Sequence, residues 1–279
     1  GSLEVPDHIT LWGLRLEICQ HFDQYANVRP SRLLPGIQSP LKNIGPAELD
    51  WVIVRENTEG EYSGAGGRVH PKLPQEVGID VSVFTRDGIE RVMRYAFELA
   101  LTRPKKQLTL VTKSNAQRHG MVLWDEVFEK LKHDYPGITT DRMLVDAITT
   151  RMVLQPQSLD TIVATNLHAD ILSDLAAALS GSLGIGPTAN INPERTFPSM
   201  FEPIHGSAFD LVGKDLANPL GAFWSCVMML EHLQEKKGAS LLMSAIEEVC
   251  QEGRHLPKDL GGNSCTGEVT TAVCAALKK

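Results

Sequence analysis

Thr161-Ile-Val-Ala164-Thr-Asn166-Leu-His168-Ala-Asp170-Ile-Leu-Ser-Asp174-Leu-Ala-Ala-Ala-Leu179 decides the fold class. Its first four residues form a short apolar run of strand type. Ile171, Leu172, Leu175, Ala178 and Leu179 then recur at helical spacing, and Gly181 stops the pattern. A strand that runs straight into a helix is the unit of an α/β fold. The alternation continues upstream. Residues 51–54, 108–111 and 143–145 read as strands. Ile89, Val92, Met93, Ala96, Leu99 and Ala100 form a helical stripe between them, with Thr85 as N-cap and Pro104 beyond the end. Leu123, Val127, Phe128 and Leu131 form a second stripe, which stops before Pro136-Gly137. Downstream, residues 219–233, 239–250 and 266–277 read as helices. Gly64-Ala-Gly66-Gly67, with Pro71 and Pro74, marks a loop or hairpin that projects from the body.

The length of 279 residues leaves room for a core without a disulfide or metal staple. A net charge of −7 argues against an electrostatic grip on nucleic acid or anionic lipid, while allowing a local basic pocket. The longest apolar run, about residues 221–230, is well short of the roughly 20 residues a membrane span needs. The opening residues contain no charged leader followed by an apolar stretch, so no secretory signal is expected. Cys19, Cys226, Cys250, Cys265 and Cys274 are odd in number and contain no Cys-x-x-Cys pair. They read as small buried hydrophobes of a reduced, cytoplasmic protein.

Several residues suggest chemistry. Asp170 and Asp174 are four apart, so both carboxylates lie on one helix face. Their mutual repulsion would be relieved by Mg²⁺ or Mn²⁺, and Asp146, after a strand, is placed to be a third ligand. The plainer reading keeps Asp170 in the first turn for the macrodipole and Asp174 in solvent. Arg15, Arg29 and Arg55 sit in apolar or turn-rich context, with Arg29-Pro30 and Arg55-Glu56-Asn57 where a strand meets a loop. Three convergent guanidinium forks would suit a di- or tricarboxylic acid; taken singly, each is an ordinary salt-bridged surface residue. Lys113-Ser114-Asn115 follows a strand end, the edge where α/β sheets place ligands, and a lysine beside a metal can act as a base. Gly181-Ser-Leu-Gly184-Ile-Gly186 has the wrong order for a dinucleotide fingerprint and reads as a turn. Glu202-Pro-Ile-His205-Gly206-Ser207 reads as a polar loop able to approach a ligand closely. His168, at a helix start, reads as a structural donor.

Taken in order, these segments resemble the isocitrate/isopropylmalate dehydrogenase family of β-decarboxylating dehydrogenases. The matching stretches are Asn27-Val-Arg29-Pro30, Arg55-Glu-Asn-Thr-Glu-Gly-Glu-Tyr62, Lys113-Ser-Asn115, Val145-Asp146, Asn166 to Asp174, Gly181-Ser-Leu-Gly184, Phe201-Glu-Pro-Ile-His205-Gly-Ser-Ala208, Asp210 and Asn218-Pro219. Within the family, residues 6–15 are similar to the tartrate/D-malate dehydrogenase branch. The resemblance implies a two-domain α/β fold with a central mixed sheet flanked by helices. The large domain would be 1–25 and 181–279, and the small dimerisation and metal/substrate domain 26–180. Residues 64–81 would join a dimer clasp. It also implies that the first family strands, on the order of 60–80 residues of βαβ structure, precede the segment in which this chain starts.

The resemblance assigns roles as well. Arg15, Arg29 and Arg55 would hold substrate carboxylates. Asp146, Asp170 and Asp174 would hold Mg²⁺ or Mn²⁺, with K⁺ left open as a further ion. Lys113 would accept the hydroxyl proton and Tyr62 would protonate the enol. Lys113 and Asp146 would come from the other subunit of a homodimer. Glu202, His205, Gly206, Ser207, Ala208 and Asn218 would bind the cofactor, and Asp210, accepting ribose hydroxyls, would favour NAD over NADP. The implied activity is NAD-dependent oxidation and decarboxylation of D-malate or tartrate. The alternatives are an isopropylmalate or isocitrate dehydrogenase, a non-catalytic regulatory or assembly subunit, or scattered structural charges with no metal.

Overall fold

The computed structural model describes residues 4–279; Gly1, Ser2 and Leu3, the start of the expected large domain, lie outside the described residues. The chain opens with α1 (Asp7–Thr10), a π-helical stretch over Leu11–Leu16, and α2 (Glu17–His21). Next come β1 (Ala26–Arg32), β2 (Asp50–Glu56) and a hairpin of β3 (Gly66–Val69) and β4 (Val77–Asp80). Then follow α3 (Arg86–Thr102), β5 (Gln107–Thr112), α4 (Gly120–Leu131), β6 (Thr139–Leu144), α5 (Val145–Leu154), β7 (Thr161–Ala164) and α6 (Asn166–Leu179). The last part contains β8 (Pro187–Ile191), β9 (Met200–Pro203), α7 (Leu220–His232), α8 (Lys236–Glu252) and α9 (Thr266–Ala276).

Seven strands form one mixed sheet in the order β6-β5-β7-β2-β1-β8-β9. β6, β5, β7 and β2 run parallel; β1, β8 and β9 are added antiparallel. Side chains alternate across the pleat, and both faces are covered. Val52, Val54, Leu108, Leu110 and Val163 pack with the apolar stripes of α3 and α4. Trp51, Ile53, Val111, Ile162 and Ala164 pack with α5, α6, α7, α8 and α9. The result is the mixed sheet flanked by helices that was expected.

The expected helices form with ends shifted by a few residues. Thr85 caps α3, its side chain accepting from the Gly88 amide at 3.0 Å, and Thr165 caps α6 through the His168 amide at 3.3 Å. The stretch 181–186 is the expected turn: Gly181 has φ +116°, and a Cβ there would lie 2.5 Å from the Ile37 side chain.

Three local readings are corrected. Residues 6–15 had no assigned element and are largely helical. Arg29 and Pro30 lie inside β1 rather than at a strand–loop junction. Pro30 is tolerated there because β8 pairs with β1 only over Ala26–Val28. Continuing that register would set Pro30 against Pro187, which itself pairs with Pro203 of β9. Val145 opens α5 instead of ending a strand. The cysteines also divide: Cys19 and Cys250 are buried, Cys265 is half-buried, and Cys226 and Cys274 are exposed. The exposed pair lies on the solvent faces of α7 and α9, which have no partner layer among the described residues.

The β3–β4 hairpin stands apart from the sheet, with Val69, Val77 and Ile79 exposed. Among the described residues, no helix is long and apolar enough to cross a membrane.

Candidate active site

Strand register builds the site. Asn27 of β1 lies opposite Arg55 of β2 on one side and Asn190 of β8 on the other. Residues opposite one another share a sheet face. Arg29, two residues on, shares that face too, which is the face covered by α6. Helical spacing brings Asp170 and Ser173 of α6 over these arginines. Arg29 Nε donates to Asn27 Oδ1 (2.8 Å), and its Nη1 donates to Ser173 Oγ (2.7 Å) and Asp170 Oδ1 (3.3 Å). Arg55 Nε donates to Asn166 Oδ1 (2.8 Å), and its Nη1 closes on Asp170 Oδ1. Tyr62 donates to Asp170 Oδ2 (3.3 Å), with the Arg55 guanidinium 5.3 Å from its ring centre. Arg15 reaches in from the π-helical stretch. Its Nε donates to Glu202 Oε1 (3.0 Å), and its Nη2 to Asn190 Oδ1 (3.3 Å).

These groups open onto one cavity of about 520 Å³, lined by Arg15, Arg29, Arg55, Tyr62, Asp170 and the 202–207 loop. Counting the arginines and carboxylates on its wall, three cations against two anions leave one positive charge. Burial, and then the neighbouring Arg55, lower Arg29 to about 9, so it remains a cation at neutral pH. Arg55 is lowered by burial as well. Burial alone would raise the Asp170 carboxyl, but Arg55 and Arg29 outweigh it and hold it below the usual range. Burial and then Asp170 raise both Asp174 and Tyr62. The cavity is thus cationic, and it keeps a protonated phenol at its wall.

The remaining expected residues fall in three places. Asp174 lies one turn beyond Asp170, outside the cavity lining. Asp170 is in the second turn of α6, bound by arginines, and not in the first turn as the plainer reading had it. Lys113, directly after β5, pairs with Asp146 in the first turn of α5; that pair is outside the cavity lining and the Asp146 side chain is 65% exposed. Among the described residues, no three His, Cys, Asp or Glu side chains converge as a metal cluster, so Asp146 does not join Asp170 and Asp174 within one chain. Two helix-spaced carboxylates, one raised by the other, still fit part of the oxygen shell of a hard divalent cation.

His205, Gly206 and Ser207 line the cavity, whereas Ala208, Asp210 and Asn218 do not. Ala208 adopts φ +43° and leads into the turn that carries the exposed Asp210. Asn218 donates to Asp259 (2.9 Å) and accepts from the Leu220 amide at the start of α7 (2.9 Å). The loop thus brings only its 205–207 portion to the cavity wall. His168 is buried, and its ring Nδ1 has no hydrogen-bond partner, so it does not serve as a donor at that atom.

Asn27, Asn57, Asn166, Ser173 and Asn190 had no assigned role. Their signal was present for the strand residues: Asn27-x-Arg29 and Thr188-x-Asn190 put polar groups at every second position of otherwise apolar runs.

Residues 3–275 match the model of the isocitrate/isopropylmalate dehydrogenase family. The chain is 67% identical over 277 residues to a probable tartrate dehydrogenase/decarboxylase of Agrobacterium vitis, covering 99% of this chain and 77% of that relative. It is 50% identical over 278 residues to the D-malate dehydrogenase (decarboxylating) of Escherichia coli K12, covering 98% and 77%. The crystal structure of isocitrate dehydrogenase from Methylococcus capsulatus superposes with a TM-score of 0.88 at 37% identity, covering 95% of this chain and 77% of that one.

Proposed function

The chain belongs to the isocitrate/isopropylmalate dehydrogenase family, and from that premise we propose that it oxidises and decarboxylates a 2-hydroxy dicarboxylate, D-malate or tartrate. One observation carries this reading: three arginines, Tyr62 and Asp170 converge with the 202–207 loop on a single cationic cavity. A dianion there would be drawn by the surplus positive charge of Arg15, Arg29 and Arg55, and bidentate forks would fix its orientation.

NAD would supply the hydride acceptor, and a divalent cation, for which Asp170 and Asp174 would be ligands, would supply positive charge to favour loss of the hydroxyl proton. This chain's residues do the rest. Arg15, Arg29 and Arg55 hold the two carboxylates. The partner subunit's Lys113, through Nζ, takes the hydroxyl proton, and the partner subunit's Asp146 completes the carboxylate set. After CO₂ leaves, Tyr62 gives its Oη proton to the carbon; its raised pKa keeps that proton available. The 205–207 loop receives the nucleotide, with Asp210 directed to its ribose. On a division into 1–25 with 181–279 and 26–180, the nucleotide loop and Arg15 would belong to the first unit, and Arg29, Arg55, Tyr62 and Asp170 to the second, so the substrate would be held between them. The exposed apolar face of the β3–β4 hairpin supports pairing with a second copy. Burial of Cys19 and Cys250 without disulfides supports a reducing, cytoplasmic setting.

The test is NADH formation across a panel of 2-hydroxy acids with Mn²⁺. D-malate or tartrate should give turnover that Lys113→Met abolishes. Turnover of 3-isopropylmalate alone would move the chain to another branch. Nucleotide binding without turnover of any 2-hydroxy diacid would point to a silent subunit.

A further inference from the structure

We propose that Asn190 is a positioning residue that sets the spacing of Arg15 and Arg29 for a four-carbon dianion; this rests on the dicarboxylate reading of the cavity. Asn190 is fully buried behind the cavity wall. Its Oδ1 accepts from Asn27 Nδ2 (2.6 Å), Asn57 Nδ2 (3.1 Å) and Arg15 Nη2 (3.3 Å). Its Nδ2 donates to Glu202 Oε1 (3.0 Å), the oxygen that also receives Arg15 Nε (3.0 Å). Asn27, held by Asn190 through its amide nitrogen, presents Oδ1 to Arg29 Nε (2.8 Å). One carboxamide therefore touches Arg15 directly, Arg29 through one intermediary, and the Glu202 end of the nucleotide loop.

The chemistry calls for an amide. Arg15 and Arg29 are both cations that repel, and as donors only they cannot hydrogen-bond to each other. A neutral acceptor on Arg15, linked through Asn27 to Arg29, holds both in place without adding a third carboxylate to Glu202 and Asp170. The donor end is equally specific: Arg15 donates and Glu202 accepts, so only a group that both accepts and donates can touch both. Cross-strand pairing sets the row Arg55, Asn27, Asn190 on one face, so the spacing is built into the sheet.

The test measures binding of D-malate and of its three-carbon analogue tartronate to the Mg²⁺-loaded protein by titration calorimetry. Asn190→Ala is expected to weaken D-malate binding by at least about tenfold and to shrink the preference for D-malate over tartronate. Asn190→Ser, which leaves a single hydroxyl, should move both in the same direction by less, and it serves if the alanine variant does not fold. Unchanged D-malate binding in a folded variant overturns the inference alone. So does an equal loss for both acids, which is what a merely structural asparagine would give. A wild-type protein that binds neither acid overturns the dicarboxylate reading and this inference with it.

Discussion

The Arg29–Arg55–Asp170 cluster and the Lys113–Asp146 pair both bring opposite charges together, yet the fold treats them differently. Each arginine is almost fully buried and is held by at least two side chains from the strands and from α6. Lys113 and Asp146 have each other at a largely exposed surface, and Lys113 holds the Asp146 carboxyl below its ordinary value. A buried cation left without its partners is costly, whereas an exposed pair contributes little. The chain orders Arg29 and Arg55 as part of its own core. It leaves the lysine and its aspartate free to meet something else.

That contrast predicts a ranking of stability effects. Arg29→Met should be the most damaging, removing about 3 kcal/mol and all diacid turnover, because Asn27 and Ser173 are left facing an apolar chain. Urea denaturation checks it, and an unchanged midpoint would dissolve the contrast. Asp170→Asn comes next, since it leaves Arg29 and Arg55 without their shared anion. The native Asp170 carboxyl lies below its unfolded value, so its contribution is present above the unfolded pKa and is lost as pH falls through the native one. Midpoints of wild type and variant should therefore converge in acid.

Glu56 sharpens the comparison from the opposite sign. It is buried at the end of β2 with its oxygens on Thr58 and the Glu59 amide, and burial raises it from 4.5 to about 6. Its ionised form costs stability above that pH, and the cost fades as pH falls through the native pKa toward the unfolded one. Glu56→Gln should gain about 1 kcal/mol at pH 8, after loss of the Glu59 contact, and nothing near pH 4.5. Melting curves at both pH values decide. Lys113→Met ranks last: its melting midpoint should match wild type even as turnover vanishes. A clear destabilisation would show that the exposed pair is part of the core's support after all.

The strand–helix alternation was legible because the strands are short, nearly continuous apolar runs such as 51–54 and 108–111, and α3 carries both its stripe and its cap. The three arginines were legible as types, but not as neighbours. Their convergence depends on the register of β1 against β2 and β8, which no local pattern encodes. Residues 6–15 were opaque because a π turn breaks the helical period on which such a segment is recognised. Asn190 was missed because a lone asparagine in a strand looks like a turn residue until both of its neighbours across the sheet are known.

The three prolines at one end of the antiparallel ladder have a mechanical consequence. Pro30 and Pro187, which would face each other next but one along the register, have no N–H, and the β1–β8 ladder stops at Ala26–Val28; Pro203 stands opposite Pro187 on β9. The halves of the sheet are therefore sewn together along a narrow seam. Arg55 lies at the seam itself, opposite Asn27, whereas β1 from Arg29 onward has no pairing to β8. Breathing of the cleft should appear as a twist about this three-residue stitch, with fast amide exchange on the β9 side and slow exchange along the seven-pair β1–β2 ladder.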